Sequence, residues 1–216
     1  MTRSPARGRR ADAVRSETAI LDAAVRLLNV NPDTGLETIA AEAGVTRQTV
    51  YAHFPSRDRL LAAVVERITE DVVAAIDATG LEDGSATEAL FRLLEASTAA
   101  ANRYPVLRKA LASVAVPTAD DERQHAPITE RITKVIARGQ AAGEFDATLP
   151  PHWFATVTIE LSHAAAHEVD NGRMPEARMS EALRVTLLRA LGAALSQRSV
   201  GLHGDAAPPG SPAACR

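Results

Sequence analysis

Lysine, cysteine and aromatic side chains are scarce in this 216-residue chain, and each scarcity excludes something. One cysteine, Cys215, rules out a disulfide within the chain and any Cys-rich metal centre. Aromatics at 3% argue against a β-sandwich or barrel, which draws on β-branched and aromatic residues. No apolar run approaches the roughly 18 residues of a transmembrane helix. The basic start, Arg3 to Arg10, leads into no unbroken apolar stretch, so no secretory signal is expected and the cytoplasm is the expected compartment. No phosphate loop, Gly-rich nucleotide fingerprint or Ser/His/Asp constellation is visible. Lysine occurs only at Lys109 and Lys134, so positive charge is carried almost wholly by arginine.

What is abundant is alanine, roughly one residue in five and the best helix former. Hydrophobic residues make up 46%, enough to bury a core. Apolar residues recur at helical spacing almost throughout, and strand-like alternation is missing, so an all-α fold of about nine helices is expected. The first helix covers roughly 14–29, ended by Asn31-Pro32-Asp33 and Gly35. Two short helices follow, one through Leu36, Ile39 and Ala43 and one capped by Thr46. A long fourth helix begins after Pro55-Ser56 and runs over 56–78. Ser85-Ala86-Thr87-Glu88 reads as a capping box for the fifth. Pro105 opens a sixth, residues 117–121 form a loop, and a seventh ends near Gly143. The last two cover about 151–171 and 177–198. This divides the chain into a flexible basic arm (1–13), a three-helix unit (14–55), a larger helical body (56–198) and a disordered tail (199–216) rich in Gly, Pro and Ala.

Charge follows the same division. The net charge is −3, yet residues 1–60 hold nine arginines against seven carboxylates. A mildly basic front end sits on an acidic body. Within that front end, Leu36 to Leu61 has the form of a helix-turn-helix. The turn needs a residue that tolerates positive φ, which Gly44 supplies. Val50 and Phe54 give the second helix an apolar side, and Arg47, Gln48, Thr49, Tyr51 and His53 give it a polar one. Arginine pairs in bidentate fashion with guanine and glutamine with adenine, while Tyr and His suit phosphate.

The segments Thr38-Ile39-Ala40-Ala41-Glu42-Ala43-Gly44-Val45-Thr46 and Thr49-Val50-Tyr51-Ala52-His53-Phe54-Pro55-Ser56-Arg57-Asp58-Arg59-Leu60-Leu61 resemble the DNA-binding region of TetR-family transcriptional regulators. Arg138-Gly139-Gln140 to Gly143-Glu144-Phe145 also looks like a segment often seen in that family. The resemblance implies an all-helical homodimer that represses transcription from a palindromic operator and is released by a small effector. It implies that Thr46, Arg47, Gln48 and Thr49 face the DNA, that Tyr51 and His53 meet phosphates, and that Arg57 lies near phosphate too. Many members have Gly where this chain has Gln48, so an operator cannot be borrowed from a relative. Arg3, Arg7, Arg9 and Arg10 read either as an arm for the adjacent minor groove or as an Arg-biased tail.

In the body, Phe91, Leu94, Tyr104, Leu107, Leu111, Trp153 and Val157 read as core, or, by the resemblance, as the wall of an effector cavity. Glu160 and His163 would add its polar groups. The scarcity of aromatics points to a mostly apolar effector. Glu160, His163 and His167 share a helical face, and two His with a carboxylate can bind zinc. The other reading makes them exposed polar residues near an interface or pocket, and no metal or cofactor is expected. Small residues at Ala164-Ala165-Ala166 and at Ala190, Ala193 and Ala194 allow close helix approach, so a homodimer through the last two helices is expected. The competing readings are a metal-dependent helical enzyme and an interaction protein whose DNA-binding unit is unused.

Overall fold

The computed structural model describes residues 5–112 and 118–193, with side chains over 11–108, at 110 and over 125–193. The described residues form nine α-helices and no strand. They are α1 (Pro5–Leu28), α2 (Leu36–Glu42), α3 (Arg47–His53), α4 (Arg57–Asp77), α5 (Ala86–Ala101), α6 (Pro105–Ala112), α7 (Thr118–Ala141), α8 (Pro151–Asp170) and α9 (Glu176–Ala190). Among them no helix is long and apolar enough to cross a membrane.

Two apolar cores organise the chain. The first gathers Ile20, Ala24 and Leu28 from α1, Ile39 from α2, Val50 from α3, and Phe54, all 5% exposed or less. It extends past residue 55, because α4 adds Leu60 and Val64 and α6 adds Leu107. The second joins Val72 and Ile76 of α4 to Leu90 and Leu93 of α5, Ile132 and Ile136 of α7, and Phe154 and Ala155 of α8. Helix α4 therefore belongs to both cores, its apolar stripe changing partners between Val64 and Val72.

The segment before α8 shows how one short motif ties the body together. Glu144 accepts from the N–H groups of Ala86 (2.9 Å) and Thr87 (3.0 Å), so a carboxylate sits on the N-terminus of α5, where the helix dipole favours it. Burial pushes the Glu144 carboxyl up, but these two N–H groups prevail and hold it below the ordinary glutamate range. Ser85 caps the same helix through the expected capping box. Arg138 donates to the carbonyls of Glu82 and Gly84, and Gln140 to those of Asp146 and Leu149. Gly139 lies under the buried ring of Phe145, where an added Cβ would come within 2.2 Å of Cδ2.

Several boundaries differ from expectation. Residues 5–13, read as a flexible arm, continue α1; Pro5 suits a helix start and the intervening residues, Gly8 apart, are tolerable helix formers. Residues 118–121, read as loop, begin α7, where Asp120 and Asp121 suit a helix N-terminus. The last helix stops at Ala190 rather than 198. Gly192 takes φ 64°, and Ala193 N–H bonds to the Leu188 carbonyl, a closing pattern that left-handed glycine permits. Residues 1–4, Ala194, the tail at 199–216 and the side chains of Arg7, Arg9, Arg10 and Leu111 lie outside the described residues.

Candidate DNA-binding face

Helix α3 has seven residues, too short to stand alone, and is fixed at three points. Gly44 turns the chain at φ 67° with no Cβ penalty. The Thr46 hydroxyl accepts from the Thr49 N–H at 3.1 Å and lies 2.8 Å from the Thr49 hydroxyl, capping the first turn. Val50, fully buried, and Phe54, 5% exposed, anchor the inner side. The outer side is thereby determined: Thr46, Arg47, Gln48 and Tyr51 are exposed, and Thr49 and His53 are half-buried.

The exposed side chains are partly organised. Arg47 pairs with Glu37 at the start of α2, donates to the Tyr51 hydroxyl at 3.3 Å, and lies with its guanidinium 5.5 Å from the centre of the Tyr51 ring. Tyr51 and then Glu37 hold the Arg47 guanidinium more firmly protonated than usual. A planar fork of donors on a short, anchored helix can meet a base edge in the major groove or a phosphate beside it.

Arg57, expected near phosphate, is half-buried at the start of α4. Its guanidinium donates to the carbonyls of Thr34 (2.7 Å) and Pro32 (2.5 Å), pinning the loop between α1 and α2 against the start of α4. Ser56 caps α4 by accepting from the Arg59 N–H.

Of the nine residues expected to line an effector cavity, the eight with described side chains do not come together. Tyr104 and Leu107 belong to the first core, where Tyr104 donates to Asp71 at 2.6 Å. Phe91 is buried in the body beneath the Arg184 guanidinium, 4.2 Å from its ring centre, and Leu94 packs on the second core. Trp153 is 51% exposed, Val157 half-buried, and Glu160 and His163 exposed. The reason is the orientation of α8, which turns Phe154, Ala155, Thr158 and Ala165 inward and so turns Trp153 and Glu160 outward. Leu111 carries no described side chain. His163 meets His125 edge-on at 5.1 Å, and among the described residues no three His, Cys, Asp or Glu converge as a metal site. Of the small residues expected at an interface, Ala165 is buried within the subunit and Ala193 packs on its core.

Sequence reasoning missed how the two units are joined. Asn29, at the end of α1, donates to the Arg103 carbonyl at 3.0 Å and accepts from the N–H groups of Val106 (3.2 Å) and Leu107 (3.4 Å). It caps α6 from 77 residues away. Leu107, on the same turn, is 2% exposed in the first core. No local pattern announces so distant a cap.

Comparison with known proteins agrees with this geometry. Residues 20–64 match the family profile described as bacterial regulatory proteins, tetR family. The transcriptional repressor LfrR of Mycolicibacterium smegmatis is 40% identical over 81 residues, 38% of this chain and 43% of that protein. The chain thus spans less than half the length of that curated relative. A TetR-family regulator from Shewanella sp. PV-4 superposes with a TM-score of 0.62 at 26% identity, covering 82% of this chain and 97% of the other. The structure of LfrR in complex with proflavine superposes with a TM-score of 0.52 at 28% identity, covering 80% and 95%.

Proposed function

Because the chain belongs to the TetR family of bacterial regulatory proteins, we propose that it is a homodimeric repressor, holding a palindromic operator through α3 and released by a small effector. The family consists of transcription regulators, not enzymes, so the metal-dependent enzyme reading falls away. The observation that carries the proposal is the outer side of α3, where Arg47, Gln48 and Tyr51 stand exposed on a helix capped by Thr46 and anchored by Val50 and Phe54. Arg47 and Gln48 read base edges; Thr46, Thr49, Tyr51 and His53 position the helix on the backbone. Arg57 contributes indirectly, by holding the α1–α2 loop.

Repression and ligand response are supported by LfrR, a transcriptional repressor whose solved structure holds proflavine. A dimer through α8 and α9 is supported by the face α8 leaves uncovered. Trp153, Val157, Glu160, Ala164 and His167 recur every three or four residues, about a third of a turn around the helix from the buried Phe154, Thr158 and Ala165. Two copies related by a two-fold axis present two α3 helices, which makes the operator palindromic.

Release follows from linkage: an effector that favours one arrangement of the units over the DNA-bound one weakens DNA binding by its differential affinity. Two connections carry it. Helix α4 shares both cores, and α6 is tied to the first unit by Asn29 and Leu107. Selection of bound duplexes from a random pool tests the proposal. Enrichment of a palindrome, bound by one dimer, is the expected result. Failure of the folded dimer to enrich any duplex refutes it and moves the interaction-protein reading forward.

A further inference from the structure

Arg47 is the sole arginine or lysine of α3, and a carboxylate from another helix meets it. Glu37, in the first turn of α2, is 73% exposed and paired with Arg47, itself 57% exposed. An ion pair so exposed adds little to stability. A carboxylate in a first turn favours the helix dipole of α2, but that role asks nothing of Arg47. On a face that meets a polyanion, Glu37 also offsets the one full charge with which α3 attracts phosphate. What the pair supplies is the position of the guanidinium.

Two contacts set that position. One terminal nitrogen of Arg47 donates to the Glu37 carboxylate and the other to the Tyr51 hydroxyl at 3.3 Å. The guanidinium carbon lies 5.5 Å from the centre of the Tyr51 ring. A guanidinium has five N–H donors, so these two bonds leave three, and a guanine edge takes two. Arg47 can therefore read a base while Glu37 and Tyr51 hold it. Freed from Glu37, a long flexible cation next to DNA turns to phosphate, which any sequence provides.

We propose that Glu37 is a positioning residue that sets specificity: it holds Arg47 toward a base edge and keeps it off the phosphates. This rests on the reading of α3 as the helix that enters the major groove. Glu37 acts through Arg47 and contacts no base itself.

Full-length wild type, E37Q, R47A and E37Q/R47A are compared on the selected duplex, on duplexes altered one base pair at a time, and on an unrelated duplex. E37Q is expected to lower discrimination about fivefold at the base pair that R47A identifies, and at no other. On the unrelated duplex it should bind more tightly, with a log–log salt slope steeper by about one, as Arg47 takes a phosphate. In the R47A background, E37Q should leave discrimination unchanged. A uniform gain on every duplex, with discrimination intact, would reduce Glu37 to a repelling charge and overturn the proposal. A loss of discrimination that persists in the R47A background would also overturn it, because Glu37 would then read DNA directly. A second measurement needs no DNA. The chain has two tyrosines, so ¹³C-tyrosine labelling resolves the Tyr51 ring, assigned by its loss in Y51F. E37Q should move that signal toward its position in R47A; an unmoved signal means that Arg47 keeps its place without Glu37, which refutes the positioning role. The two levels of the account fail differently. If the wild-type chain selects no duplex, the repressor reading falls and this proposal with it. If it selects one and E37Q discriminates as the wild type does, only this proposal falls.

Discussion

Replacing Glu144 by Gln isolates the contact that joins the α7–α8 connection to the start of α5. The carboxylate takes two N–H groups, from Ala86 and Thr87, at 2.9 and 3.0 Å. Hydrogen bonds to a charged group contribute about 1.5–3 kcal/mol each. Glutamine keeps one acceptor oxygen and turns an NH₂ toward the other N–H, so one bond weakens and one is lost. Partial exposure reduces the total, and about 2 kcal/mol is expected, a large share of the 5–15 kcal/mol of a typical domain. The pH dependence has a definite sign. Glu144 is held below its ordinary value of 4.5 in the folded protein. Its contribution is therefore complete above about pH 4.5 and is lost as pH falls through the lower folded value. Urea unfolding followed by circular dichroism, at fixed protein concentration, gives both quantities. The wild-type advantage over E144Q should be constant near neutrality and shrink on the acid side. An advantage below about 0.5 kcal/mol at pH 7, or one that does not shrink in acid, would refute the reasoning.

Three further outcomes follow from other contacts. Gly139→Ala drives a methyl into the Phe145 ring and the Ala86 methyl, and should lower stability by about 1–3 kcal/mol in the same urea assay, with no direct effect on α3. Asn29→Ala removes the cap of α6 and should cost about 1–2 kcal/mol while reducing the effector's power to release DNA, measured as the ratio of operator affinities with and without effector. Thr46→Ala uncaps α3; fluorescence anisotropy should show weaker binding to every duplex, since the whole helix loses definition, with a melting temperature reduced by only a few degrees.

The DNA-binding unit was legible because its signals are local and mutually consistent. Gly44 at the turn, Thr46 at the cap, and Val50 with Phe54 at four-residue spacing fix both the helix and its outward face. The body was less legible because its helices are apolar on more than one side. On α8, Trp153 and Val157 compete with Phe154, Ala155 and Leu161 for the inward face, and only the packing of α7 and α9 decides it. Tyr104 and Leu107 went astray for a related reason: Pro105 marks the start of a helix but does not say that the side chains of Tyr104 and Leu107 meet the first core. The distant caps, Asn29 on α6 and Glu144 on α5, and the Arg57 contacts to the α1–α2 loop depend on tertiary neighbours that no short window contains.

The central claim is that the exposed side of α3 reads DNA sequence, and Arg47 tests it most directly. Binding of Arg47→Ala and wild type would be compared on the selected duplex and on duplexes altered one base pair at a time. If Arg47 contacts a base, the variant loses about 1–3 kcal/mol of discrimination at one position in each half-site and keeps it elsewhere. Equal weakening on all duplexes would make Arg47 a phosphate contact, and unchanged affinity and discrimination would contradict the assignment of this face to DNA.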